Sequence, residues 1–139
     1  MPFYTVLLIW MISESHAVYP NGTYKGEVTN PYLSINCIFY EPPYPETPYV
    51  DMHVTCDDTK GPASSTVGIE AARGSYETKF YVSGIDIDSI QQMTADLDMT
   101  CPGRDYSIGD FTVFIEVDKG VSYNVYVNQE PVKIQKIPY

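Results

Sequence analysis

Between Phe111 and Val117 the chain alternates: Phe111, Val113, Ile115 and Val117 are apolar, and Thr112, Phe114 and Glu116 stand between them. After Lys119-Gly120 the rhythm resumes in Tyr123-Asn124-Val125-Tyr126-Val127-Asn128. A period of two on both sides of a short turn predicts an antiparallel hairpin. In that reading the odd-numbered set faces a core and Phe114 points outward as an exposed aromatic. The same alternation places Leu33, Ile35, Cys37 and Phe39 on one face of a strand over 33–39, and Val50, Met52, Val54 and Cys56 on one face of another over 50–56. Pairing Phe39 with Val50 sets Cys37 opposite Met52. Further strands are predicted at 23–28, 66–71, 76–83, 95–101, 122–128 and 132–137. No segment shows a sustained helical period, although 86–92 suits one helical turn capped by Asp86 or Asp88.

Punctuation supports the strand reading. Glu41-Pro42-Pro43-Tyr44-Pro45-Glu46-Thr47-Pro48 holds four prolines in the seven residues from Pro42, which removes ladder donors and predicts a stiff, protruding loop tipped by tyrosine. Thirteen tyrosines and eleven prolines fit β structure. The expected class is therefore all-β, an antiparallel β-sandwich formed as one domain by residues 18–139. Residues 1–17 are set apart: Val6-Leu7-Leu8-Ile9-Trp10-Met11-Ile12 is a short apolar run followed by Ser15 and Ala17 at the spacing a signal peptidase reads. The run is too short to span a membrane. Cleavage after Ala17 predicts a secreted, extracellular protein that begins at Val18.

The formal charge is −10, and Glu14 is the only charged side chain in the leader, so the mature chain carries −9. Such a surface repels phosphate backbones and anionic lipid, and nucleic acid is not an expected partner. In a secreted chain, three cysteines predict one disulfide and an odd thiol. The register above separates Cys37 from Cys56 by about 13 Å at strand rise, beyond disulfide reach. Cys56 and Cys101 end similar phrases, Met52-His53-Val54-Thr55-Cys56 and Leu97-Asp98-Met99-Thr100-Cys101, and are the favoured pair. Three buried reduced thiols are the alternative. Asn21-Gly22-Thr23 is a complete N-glycosylation acceptor. Asp57-Asp58 and Asp86-Ile87-Asp88-Ser89 lack the remaining oxygen ligands of a calcium loop, so neither a metal nor a cofactor is expected. His53 lies outward beside Asp51, with no serine, cysteine or second carboxylate marked as a catalytic partner.

Four pieces of the chain resemble a galectin carbohydrate-recognition domain. Tyr19 to Val28 is similar to that family's opening turn and strand; Tyr32-Leu33-Ser34-Ile35-Asn36-Cys37 looks like its Phe-x-Ile-Asn-Leu strand. Val50 to Val54 looks like the strand leading into its sugar motif, and Tyr106 to Asn128 looks like its last hairpin. The resemblance implies a galectin-like jelly roll in preference to an immunoglobulin-like sandwich, with His53 at the first sugar-binding histidine. Thr55 replaces the family's asparagine, Asp57 replaces its arginine, and its stacking tryptophan is absent. These departures predict weak or no galactoside binding, with Tyr40, Tyr44 and Tyr49 as substitute aromatic surfaces.

Two functions are expected from different classes. One is a non-catalytic module recognising an extracellular glycan through His53, Thr55, Asp51, Tyr44 and Tyr49. The other is a protein–protein interaction domain using the Pro-Tyr loop or a strand edge. A hydrolase ranks third, because no nucleophile–base pair can be assembled.

Overall fold

The computed structural model describes residues 18–72 and 78–138; the leader expected over 1–17 lies outside them. Eight antiparallel strands follow one another as β1 (Gly22–Val28), β2 (Leu33–Tyr40), β3 (Tyr49–Thr55), β4 (Ala63–Ala71), β5 (Lys79–Val82), β6 (Val113–Asp118), β7 (Ser122–Val127) and β8 (Glu130–Lys136). Each pairs with its sequence neighbour, and β8 returns to β1 through Tyr24↔Lys136 and Lys25↔Gln135. The sheet is a closed barrel. This corrects the sandwich, and with it the jelly roll that the galectin resemblance implied. Alternation marks which residues of a strand face inward, and a sandwich and a barrel demand the same alternation. What separates them is the pairing of the first strand with the last.

Apart from the stretch over 95–101, the strands lie close to their predicted positions, and the β2–β3 register agrees with the sequence reading: Phe39 pairs with Val50 and Cys37 with Met52. Tyr24, Phe39, Phe80, Phe114 and Tyr123 fill the middle of the barrel, each at most 1% exposed. Their rings meet mostly edge-on, Tyr24 with Phe39 and with Tyr123 at 5.4 Å and Phe39 with Phe114 at 5.4 Å, the arrangement favoured by the ring quadrupole.

Two local expectations are overturned. Phe114 is fully buried, whereas Val117 is exposed and Val113 and Ile115 are half-buried. Phe111 lies in the left-handed region, φ 64°, ahead of β6, so its burial does not set the phase of the strand. The cross-strand partners Phe80 and Val125 place Phe114 inward. The predicted strand over 95–101 is the second half of a helix, α1 (Ile87–Thr100), into which the expected helical turn extends. Leu97, Met99 and Cys101 alternate, but Ile90, Met93 and Leu97 recur at helical spacing and are the residues buried. Met99 is exposed.

The helix packs against β4. β5 has four residues and pairs with β4 only from Ile69 to Ala71. Alongside the remainder of β4 lies α1, joined to it where the Ser65 and Ser89 hydroxyls meet at 2.7 Å. Asp86 occupies the N-cap position without capping the helix through its side chain; its Oδ2 instead accepts the Gly68 N–H at 2.8 Å, taking the place of a strand partner. At the other end Cys101 is bonded to Cys56, with Cα atoms 6.4 Å apart. Cys37 is a free, buried thiol.

Candidate functional site

The outer face of β2, β3 and β4 carries the predicted binding residues, and strand register determines which of them meet. Asp51 and His53 are two apart on β3 and project to the same side, with Asp51 Oδ1 3.3 Å from His53 Nε2. Across the ladder Thr66 pairs with Asp51, and its hydroxyl donates to Asp51 Oδ1 at 3.2 Å. Their side chains are about one third exposed, 37% for His53 and 32% for Asp51. Asn36 stands opposite His53 on β2 and Ser64 opposite it on β4. The Asn36 Oδ1 is buried with no hydrogen-bond partner among the described residues. No hydrogen bond joins Ser64 to the imidazole among the described residues.

One step along the same face, Tyr40 and Tyr49 are register partners. Their rings stack with centroids 4.8 Å apart and planes 19° from parallel. This forms a two-ring surface next to the Asp51, Thr66 and His53 polar groups. Tyr44 is 96% exposed at the loop tip, in a turn closed by the Glu46 N–H donating to Pro43 O at 3.1 Å. Thr55 ends β3 opposite Ser34, about 20 Å along the strand from Tyr49 at the usual rise. A single sugar ring cannot touch both. The structure therefore sets Tyr49, Asp51, His53 and Thr55 in one row along β3, brings the predicted Tyr40 beside Tyr49, adds Thr66 beside Asp51, and leaves Thr55 at the end of the row away from the tyrosine pair. Thr66 was missed by sequence reasoning because only the β3–β4 register brings it to Asp51. Asn21 is exposed at the start of β1, open to glycan attachment.

Three clefts lie elsewhere. One of about 550 Å³ sits at an end of the barrel between the β1–β2 and β7–β8 turns. Another, of about 390 Å³, lies beside the disulfide, and a third, of about 300 Å³, lies between α1 and residues 106–112. The central aromatic residues line none of them. Among the described residues no helix is long and apolar enough to cross a membrane, and no cluster of three or more potential metal ligands occurs. Protein-family models, curated proteins and solved structures give no match to the chain.

Proposed function

We propose that the protein is a secreted, non-catalytic binding module that meets an extracellular glycan with the outer face of β2, β3 and β4. The stacked Tyr40–Tyr49 pair beside Asp51, Thr66 and His53 carries this reading. An aromatic surface takes the apolar side of a sugar ring, while a carboxylate, a hydroxyl and an imidazole offer acceptors and donors to its hydroxyl groups. The packed interior directs binding to the outside, since Tyr24, Phe39, Phe80, Phe114 and Tyr123 fill the space that would hold a ligand in a hollow barrel. The Cys56–Cys101 bond suits an oxidising, extracellular setting.

A protein ligand is the second reading, favoured by Tyr44 at the tip of the proline loop. Barrel closure takes away the free strand edges that β-augmentation uses, so such a partner would dock on the loop. A glycan array probed with the mature protein, run beside a pull-down from extracellular fluid, separates the two. Glycan signal lost in Tyr49→Ala supports the first reading. An empty array with a captured protein released by Tyr44→Ala replaces it with the second.

A further inference from the structure

The cleft of about 550 Å³ at the end of the barrel has walls of two kinds. Val28, Leu33, Val127 and Val132 line it with apolar surface continuous with the core. Facing them are Arg104 and Tyr106, from the segment that follows α1. The Tyr106 ring packs on Phe111 with centroids 5.7 Å apart, and its hydroxyl oxygen is buried with no hydrogen-bond partner among the described residues. Arg104 is held by its own tip: Nη1 donates to Tyr32 O at 2.7 Å and Nη2 to Cys56 O at 3.0 Å. A guanidinium carries five N–H donors, so these two bonds leave donors over. Burial pushes the Tyr106 pKa up; the Arg104 guanidinium beside the hydroxyl pulls it down, and the Asp98 and Asp110 carboxylates push it up again. The hydroxyl hydrogen and the guanidinium N–H groups left over from the two carbonyl bonds therefore sit side by side, with no carboxylate in hydrogen-bond contact with either among the described residues. Leaving such a donor unpaired is costly.

We propose that this cleft binds a small amphipathic carboxylate. Its oxygens accept from the Tyr106 hydroxyl and the Arg104 guanidinium, whose planar fork matches a carboxylate, and its hydrocarbon lies against Val28, Leu33, Val127 and Val132. The volume falls within the range of about 300–1,000 Å³ usual for small-molecule sites. Glu130 lines the same cleft but is exposed, so solvent screens its repulsion; Asp98 and Asp110 also act on Tyr106 and oppose the anion, Asp110 less so because its oxygens accept from the Ser107 and Asn128 N–H groups.

Calorimetric titration of octanoate into the disulfide-bonded chain tests the proposal, with octan-1-ol as a probe of similar hydrocarbon and no charge. Octanoate is expected to bind saturably at one site, and octan-1-ol at least tenfold more weakly. Tyr106→Phe should weaken octanoate about tenfold to a hundredfold, the worth of one hydrogen bond to a charged group. It should do so without lowering the melting temperature, because the hydroxyl it removes has no protein partner. Thr29→Trp, at the exposed rim, should obstruct the mouth and abolish binding while the circular dichroism spectrum is unchanged. Absence of saturable octanoate binding overturns the proposal, as does equal affinity for the alcohol. Wild-type affinity in both variants would place the anion elsewhere on the molecule. None of these outcomes bears on the β2–β4 face.

Discussion

Gly26 faces the main chain of Lys133 so closely that a Cβ on the glycine would lie 2.1 Å from the Lys133 carbonyl oxygen. The contact sits at the seam where β1 meets β8. The obstacle is backbone, which cannot swing aside as a side chain would. Gly26→Ala is expected to destabilise by about 2–3 kcal/mol, the cost of overpacking, and by more if the seam opens. Denaturant unfolding measures it. An Ala variant as stable as the parent would mean that β1 and β8 are farther apart than described.

The Cys56–Cys101 bond spans 45 residues and ties the end of α1 to the end of β3. Removing it in a Cys56→Ala/Cys101→Ala variant should cost roughly 4 kcal/mol on the chain-entropy model. Peptide mapping without reductant should recover these two cysteines cross-linked. Burial pushes the Cys37 thiol far up, so alkylation of Cys37 should wait on unfolding.

Tyr123 is 1% exposed and donates its hydroxyl to Glu116 Oε2 at 3.1 Å. Burial, followed by the Glu116 carboxylate, raises its pKa; burial and Glu116 act on Tyr24 in the same direction. The unfolded chain releases these protons at the ordinary value of about 10, while the folded chain retains them. Stability from both groups is thus complete below about pH 10 and falls as pH rises above it. Spectrophotometric titration should show a class of tyrosines that ionises only with alkaline unfolding. Replacing Glu116 by Gln removes the carboxylate that raises the Tyr123 pKa, so ionisation of this class should begin at lower pH.

On the β2–β4 face, His53→Ala should weaken glycan binding by about 1 kcal/mol, one oriented hydrogen bond. Tyr49→Ala should cost at least as much in binding. It should also lower stability by about 0.5–1.5 kcal/mol, because it breaks the stack with Tyr40. Tyr44→Ala, at a fully projecting tip, should leave stability unchanged. Calorimetry with lactose should register little heat, since Thr55 and Asp57 supply neither the amide nor the guanidinium that a galactoside site uses. Tight lactose binding lost in His53→Ala would reverse that expectation.

The expected cleavage after Ala17 would remove the only tryptophan, Trp10. Secreted material should begin at Val18 and fluoresce through tyrosine alone; Edman sequencing that starts at Met1 would contradict it.

Much of the molecule was legible in short stretches of sequence. Alternation located the hairpin strands β2 and β3, their register fell out of aligning Phe39 with Val50, and the proline run located the loop between them. That same register brings Tyr40 to Tyr49, so the aromatic half of the candidate site was already implicit in the residues. Each of these features rests on forces between positions a few residues apart, where side-chain direction follows from the backbone period.

What tertiary structure decided lies at longer range. Ile90, Met93 and Leu97 form a helix and Leu97, Met99 and Cys101 an alternating strand with equal local consistency. The choice fell to the gap that the short strand β5 leaves beside β4, which a helix fills. Phe111 and Phe114 both enter the core, although no single strand phase allows it, because a left-handed residue resets the chain ahead of β6. Thr66 reaches Asp51, and Arg104 reaches the Tyr32 and Cys56 carbonyls, only once the sheet is assembled. Closure itself depends on β1 meeting β8, about a hundred residues apart, and on Gly26 leaving room for Lys133. The periodicity of either strand is the same whether or not the other lies beside it, so local sequence determined the strands and only their global pairing made them a barrel.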